Sequence, residues 1–205
     1  MLTVPLRFRD DPDAPRVPNV TVRCFAALPI PAASREALGR ALQPFLDLNW
    51  PVRWVRPEGV HVTLKFFGEV PQERAEAIAE SIDFAVAGIG PLALTLTGFG
   101  AFPGPDRVRV LWAGIEAPTG LELLQDRIET RAEELGFAGE GIVFRPHVTL
   151  GRVREGERVP RGESDRLFAT PLSASFTADR VMLYESTMRE GGAEYSALHT
   201  AVLSG

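Results

Sequence analysis

The run His61-Val62-Thr63-Leu64-Lys65-Phe66-Phe67 reads as a strand, and its first four residues return 86 positions later as His147-Val148-Thr149-Leu150. Successive strand side chains point to opposite faces. Val62, Leu64 and Phe66 therefore share a face suited to a core, and His61, Thr63, Lys65 and Phe67 share the other. The second copy sends Val148 and Leu150 inward and keeps His147 and Thr149 together on the opposite side. The chain has three histidines in all, so two of them open the same tetrapeptide. Duplication accounts for the likeness but not for polar residues retained inside apolar strands. Two lobes related by a pseudo-two-fold axis would bring both His-Thr pairs into one cleft.

The flanks repeat as well. Val22-Arg23 and Val108-Arg109 each open a strand that runs to a proline, Pro31 and Pro118, before a helix. Ser34 is the expected N-cap of the first helix, and Thr119 with Glu122 forms a capping box for its counterpart. His61 follows Ser34 by 27 residues and His147 follows Thr119 by 28. A period this long, present twice, fits two facing lobes rather than a solenoid.

The remaining pattern fills in around these anchors. Strands are expected at 20–28, 52–55, 60–67, 92–99, 108–115, 142–153, 172–177, 180–184 and 195–203. The first helix spans 34–46 with Leu38, Leu42, Phe45 and Leu46 on its apolar face, and Pro44 distorts its last turn. A second helix starts at Pro71, buries Ala75, Ile78, Ile82 and Val86, and stops at Gly88. A third buries Leu121, Leu124, Ile128, Ala132 and Leu135 and stops at Gly136. Segments 100–106 and 154–164 read as loops. The fold class is α+β.

The chain has 205 residues, 45 % hydrophobic and 24 % charged, which suits an ordinary globular protein of one domain or two small lobes. A chain of this size buries about 70 % of its unfolded surface without a staple. The net charge of −5 argues against a non-specific duplex binder but leaves room for a phosphate ester in a locally basic pocket. Of the 22 basic residues, Lys65 is the one lysine. The single cysteine, Cys24, excludes an internal disulfide, a cysteine zinc ribbon and CxxC redox chemistry. It lies in an apolar run and reads as a small core residue. No apolar run reaches 18 residues, so no membrane span is expected. Residues 1–19, with Pro5, Pro12, Pro15 and Pro18, lack the apolar core of a signal peptide and read as a loosely attached extension. The expected fold proper is 20–205, a cytoplasmic monomer.

Two His-Thr pairs in one cleft suit in-line displacement at phosphorus. One imidazole takes a proton from water while the other gives one to the leaving oxygen. Histidine, with an ordinary pKa of about 6.5, can do either near neutrality. The threonine hydroxyls can donate to non-bridging oxygens. Lys65 would add positive charge and Phe67 would stack a base. No GxGxxG, GxxxxGK[ST] or nucleophile-elbow pattern occurs, which argues against dinucleotide, ATP-dependent and Ser34- or Ser164-based chemistry.

These motifs, His61-Val-Thr63-Leu and Pro146-His147-Val-Thr149-Leu-Gly151-Arg152, resemble those of the two-histidine (2H) phosphoesterase superfamily. Val22-Arg-Cys-Phe-Ala-Ala-Leu-Pro, Arg53-Trp54-Val55, Leu64-Lys-Phe-Phe-Gly68, Phe99-Gly-Ala-Phe-Pro103, Arg109-Val-Leu-Trp112 and Leu183-Tyr184-Glu185-Ser186 narrow the resemblance to its RNA 2′,3′-cyclic phosphodiesterase, or 2′-5′ RNA ligase-like, branch. It covers the chain from about residue 20 onward. It implies a bilobal fold with antiparallel sheets lining a central cleft. It also implies hydrolysis of 2′,3′-cyclic phosphate RNA ends, or small cyclic nucleotides, to 2′-phosphates without metal or cofactor. His61, Thr63, His147 and Thr149 match the family's motif residues one for one. The sequence does not decide which histidine is the acid; His147 is preferred as base and His61 as acid. Arg152 matches an arginine that often follows the second motif, but strict alternation points it away from His147, so phosphate contact requires a bend at Gly151. Tyr184 and Tyr195 lie in strands whose counterparts approach the cleft in the family, and packing is their default role.

Three other readings compete. The same site run in reverse would make a 2′-5′ RNA ligase. A metallohydrolase would use His61, His147 and His199 as ligands, although no metalloprotease-type spacing supports it and His199 reads as structural. A non-catalytic RNA-binding module is disfavoured by the acidic charge balance.

Overall fold

The computed structural model describes residues 20–190 and 192–205; the extension expected at 1–19 lies outside them. Nine strands and four α-helices follow one another among the described residues as β1 (Thr21–Pro29), α1 (Ala32–Leu46), β2 (Val52–Trp54), β3 (His61–Pro71), α2 (Gln72–Val86), β4 (Leu92–Gly104), β5 (Arg107–Glu116), α3 (Thr119–Glu134), β6 (His147–Val153), α4 (Arg161–Phe168), β7 (Ser173–Ala178), β8 (Arg180–Arg189) and β9 (Gly192–Val202). Every strand pairing among them is antiparallel. The sheet order is β7-β4-β5-β6-β3-β1-β8-β9, with β2 added to β6.

This order has a centre. The β7-β4-β5-β6 and β3-β1-β8-β9 halves meet where β6 pairs β3, through the single register match Val62↔Val148. The two strands that carry the repeated tetrapeptide are therefore the inner edges of two lobes. The halves share one contiguous core, in which Val62 and Val148 are fully buried beside Leu28, Leu111, Leu121 and Leu183. The bilobal α+β architecture stands as expected.

Helix faces follow the 3.6-residue spacing: Leu38, Leu42 and Phe45 of α1, Ile78 and Ile82 of α2, and Leu121, Leu124 and Ile128 of α3 are buried. Leu46 and Leu135 fall at helix ends and are less buried. The caps differ from expectation. All four helices start behind a proline, Pro31, Pro71, Pro118 and Pro160, with no side-chain cap. Proline's fixed φ already suits the extended N-cap conformation, so the helices begin earlier and leave Ser34 buried within the first turn. Glu73, Glu122 and Glu163 lie in first turns, where the helix dipole favours them. Gly88 and Gly136 stop α2 and α3 with φ of +72° and +84°, as the sequence suggests.

Three segments depart from the sequence expectation. The 142–153 strand begins only at His147; Ile142 and Val143 are 77 % and 83 % exposed in the loop before it. The loop expected at 100–106 is strand almost throughout, because β4 and β5 stay paired to Gly104↔Arg107. The loop expected at 154–164 ends in α4, a short polar helix anchored by buried Leu167 and Ser164 and by Trp50 bonded to Glu163.

Gly100 has a steric role. It pairs with Trp112 across β4 and β5, and a Cβ there would collide with the indole ring. Gly100→Ala is expected to cost about 1–3 kcal/mol through overpacking, read as a lower denaturant midpoint; an unchanged midpoint would mean that Trp112 yields freely.

Candidate active site

Around Val62↔Val148, the one matched pair between β3 and β6, the antiparallel direction runs His61 toward the Thr149 side and Thr63 toward the His147 side. Thr63 and His147 line one cleft. All four are half-buried while their neighbours Val62, Leu64, Val148 and Leu150 are buried, so the alternation holds through both tetrapeptides.

The two imidazoles are held alike. His61 Nδ1 lies 2.8 Å from the Gly59 carbonyl oxygen, and His147 Nδ1 lies 2.7 Å from that of Arg145. A carbonyl oxygen only accepts, so each Nδ1 carries the proton and donates. That fixes the tautomer and leaves both Nε2 atoms for chemistry. The device repeats because each motif histidine bonds the residue two positions before it.

The environments differ. His61 is enclosed by aromatic rings: Phe25 at 4.7 Å between centroids, Tyr195 at 5.3 Å and Tyr184 at 6.3 Å. His147 has Phe102 edge-on at 5.1 Å and lines an open cleft of about 490 Å³ together with Thr63. Burial lowers the His61 pKa to about 4, against a smaller upward pull from the Gly59 hydrogen bond, and the nearby His147 lowers it further. In the free site His61 is neutral at pH 7. Burial also raises Tyr184 and Tyr195, which stay protonated near neutrality.

A family model described as the 2′-5′ RNA ligase superfamily matches residues 53–189. The chain belongs to that superfamily. Among similar proteins, a Thermotoga maritima protein named RNA 2′,3′-cyclic phosphodiesterase is 27 % identical over 184 residues, covering 90 % of this chain and 97 % of that one. A like-named protein of Methanothermobacter thermautotrophicus is 32 % identical over 133 residues, 65 % and 72 % of the two chains. Escherichia coli LigT in complex with 3′-AMP superposes with a TM-score of 0.74 at 26 % identity, covering 91 % of this chain and all of that one. The Thermus thermophilus protein TT0787 gives 0.74 at 26 %, with 88 % and 97 % covered.

In this member of the 2′-5′ RNA ligase superfamily the residues after each tetrapeptide do not follow simple alternation. On β3, Ala27 pairs Thr63 and Ala26 pairs Lys65, so Leu64 is an extra residue; on β6, Trp112 pairs Thr149 and Leu111 pairs Gly151, so Leu150 is extra. The same β-bulge stands at the same place in both motifs and moves the residues that follow it to the other face, on β3 as far as a second register shift at Phe67.

That shift corrects two expectations. Lys65 points away from the cleft and is 1 % exposed, its Nζ donating to Glu129 Oε1 at 2.8 Å and to the Ala138 carbonyl at 2.9 Å. Phe67 is buried against Phe137. Phe66 instead takes the cleft face, 54 % exposed, beside Phe25 and lining the same cleft as Thr63 and His147. Past the bulge at Leu150, Arg152 is exposed and lines a second cleft with Tyr195. In the second copy, Lys65's counterpart is Gly151, where Val52 Cγ1 would lie 2.6 Å from a Cβ because β2 closes over it.

Cys24 is buried, and burial, helped by Glu185, raises its thiol to about 11, which fits a core residue. His199 lies on β9 with Nε2 donating to Asp83 of α2 at 2.8 Å, so it is not a third member of the cluster. Among the described residues no three His, Cys, Asp or Glu side chains are grouped to hold a metal ion, and no helix is long and apolar enough to cross a membrane.

Proposed function

We propose that residues 20–205 form one bilobal unit that hydrolyses RNA 2′,3′-cyclic phosphate ends, or small 2′,3′-cyclic nucleotides, to 2′-phosphates. The observation that carries this reading is the pair of imidazoles, each tied through Nδ1 to a backbone carbonyl, with both Nε2 atoms left free at one lobe junction. The similar proteins named RNA 2′,3′-cyclic phosphodiesterase support it.

Water attacks phosphorus, the P–O3′ bond breaks, and the 3′-oxygen leaves as a hydroxyl. His147 lines the open cleft, where water reaches it, and takes the water's proton. His61, enclosed by rings, gives its proton to the 3′-oxygen. Thr63 and Thr149 donate to the non-bridging oxygens, where charge gathers. Arg152 adds a bidentate cation to the phosphate. Phe66 takes the stacking role that alternation assigns to Phe67, as a platform for the terminal base. The reaction is tested by following a 2′,3′-cyclic nucleotide to its product with EDTA present; a 2′-phosphate is expected, and a 3′-phosphate or no turnover overturns the reading.

An acid at His61 has to arrive with the substrate, because the free site holds it neutral. An anion between the imidazoles favours the charged form, so binding and proton uptake are linked. The bound state then holds more protons than the free state from its raised pKa down to about 4. Affinity for sulfate, which keeps its charge across this range, is expected to rise as pH falls through that window. The His61 ring signals in NMR should titrate near pH 4 without sulfate and at higher pH with it. A His61 pKa unmoved by saturating sulfate would transfer the acid role to His147.

A further inference from the structure

Two clefts of opposite character lie as separate arms beside the lobe junction. One, beside His147 and Thr63, is walled by Phe66, Ile142 and Val143. The other, about 610 Å³, runs from Tyr195, whose ring touches His61, along β2 and the end of β6. Four arginines line it on a protein whose net charge is −5.

Strand pairing makes this basic arm more than a solvated edge. Arg53 stands directly opposite Arg152 in the β2–β6 ladder. Like charges facing each other across strands destabilise a sheet. Among the described residues, no carboxylate lies within 4.0 Å of the guanidinium of Arg53, Arg152 or Arg154, whereas Arg56 nearby is paired with Glu194 at 3.1 Å. Glu155 is the one acid lining the arm among those residues. Three guanidiniums without a carboxylate partner, two of them on residues that face each other across the ladder, suit successive phosphates.

We infer that this arm holds the sugar-phosphate backbone on the 5′ side of the cyclic end, making Arg53 and Arg154 determinants of substrate length. The inference rests on the proposed activity. The cyclic phosphate sits at the two histidines with Arg152, the terminal base lies over Phe66, and the preceding phosphates pass along Arg53 and Arg154. The enzyme then prefers an oligonucleotide to a cyclic mononucleotide.

The test compares kcat/KM for a 2′,3′-cyclic mononucleotide with that for RNAs of two and four nucleotides ending in a cyclic phosphate, across salt concentrations. The wild type is expected to favour the longer RNAs by at least about 10-fold at low salt, on the scale of one charge-assisted contact. That preference should fade as salt rises. Arg53→Ala and Arg154→Ala should each cut the oligonucleotide-to-mononucleotide ratio several-fold and flatten its salt slope by about 0.7 per contact removed. Wild-type turnover without a length preference, or variants that lower both substrates equally or neither, overturns the inference. Failure of the wild type to turn over even the mononucleotide would instead remove the proposed activity.

Discussion

Alanine at His61 or at His147 is expected to lower kcat/KM on a 2′,3′-cyclic nucleotide by about 10²–10⁴, with EDTA present throughout. The two losses should not multiply in the double variant, because acid and base act in one displacement. Both side chains are half-buried at the lobe junction and each makes one hydrogen bond to backbone, so removal should leave the fold intact. The roles separate on a phosphodiester whose leaving group departs without a proton, such as a p-nitrophenyl ester. That substrate needs no acid. His61→Ala should recover most of its loss there, and His147→Ala should not. The opposite pattern would exchange the two roles, and variants as active as wild type would remove the two-histidine mechanism.

How far the sequence can be read depends on whether a feature is local. Within each tetrapeptide the alternation of His and Thr against Val and Leu holds, because a strand's period of two is set by the backbone itself. The duplication alone points both strands to a lobe junction, and the register Val62↔Val148 puts them there. Beyond the tetrapeptides the same rule fails at once. A bulge at Leu64 and another at Leu150 depend on how β1 and β5 pair, and nothing in Lys65 or Phe67 themselves announces it. The aromatic enclosure of His61 is hidden from the sequence for a related reason: Phe25, Tyr184 and Tyr195 come from three strands that only the sheet order brings together. One hint is available. Lys65 is the chain's one lysine and Gly151 occupies the matching position in the other copy, so a common role in phosphate binding is already strained. The helix starts shift because Pro31 and Pro118 fix the extended N-cap backbone ahead of Ser34 and Thr119, without supplying the side-chain acceptor that a serine or threonine cap would.

The burial of Lys65 carries its own large expected effect. Lys65→Met should destabilise the protein by about 3–5 kcal/mol, as removal of one partner from a buried ion pair does. The methionine fills much of the lysine's volume, so the loss is electrostatic rather than a cavity. Glu129 would keep the Glu140 amide on Oε1 but lose its cation, while its Oε2 is already buried without a partner. The Glu129 side chain is 18 % exposed, which places the cost toward the lower end. Denaturant unfolding gives the number. Replacing both partners, Lys65→Met with Glu129→Leu, should recover most of it, since no charge is then left unpaired. Kinetics discriminates between the two faces of the strand. A cleft-facing lysine would leave stability nearly unchanged and lower kcat/KM sharply on removal. The observed geometry predicts the reverse: a large fall in stability with kcat/KM held within a few-fold while the protein stays folded. Any residual effect should appear in KM, because Lys65 also bonds Ala138 in the segment that leads through Ile142 and Arg145 to His147 and walls the apolar arm of the cleft. Stability lost in the single variant and regained in the double, with turnover retained in both, is the signature of a lysine that ties β3 to α3 rather than one that binds phosphate.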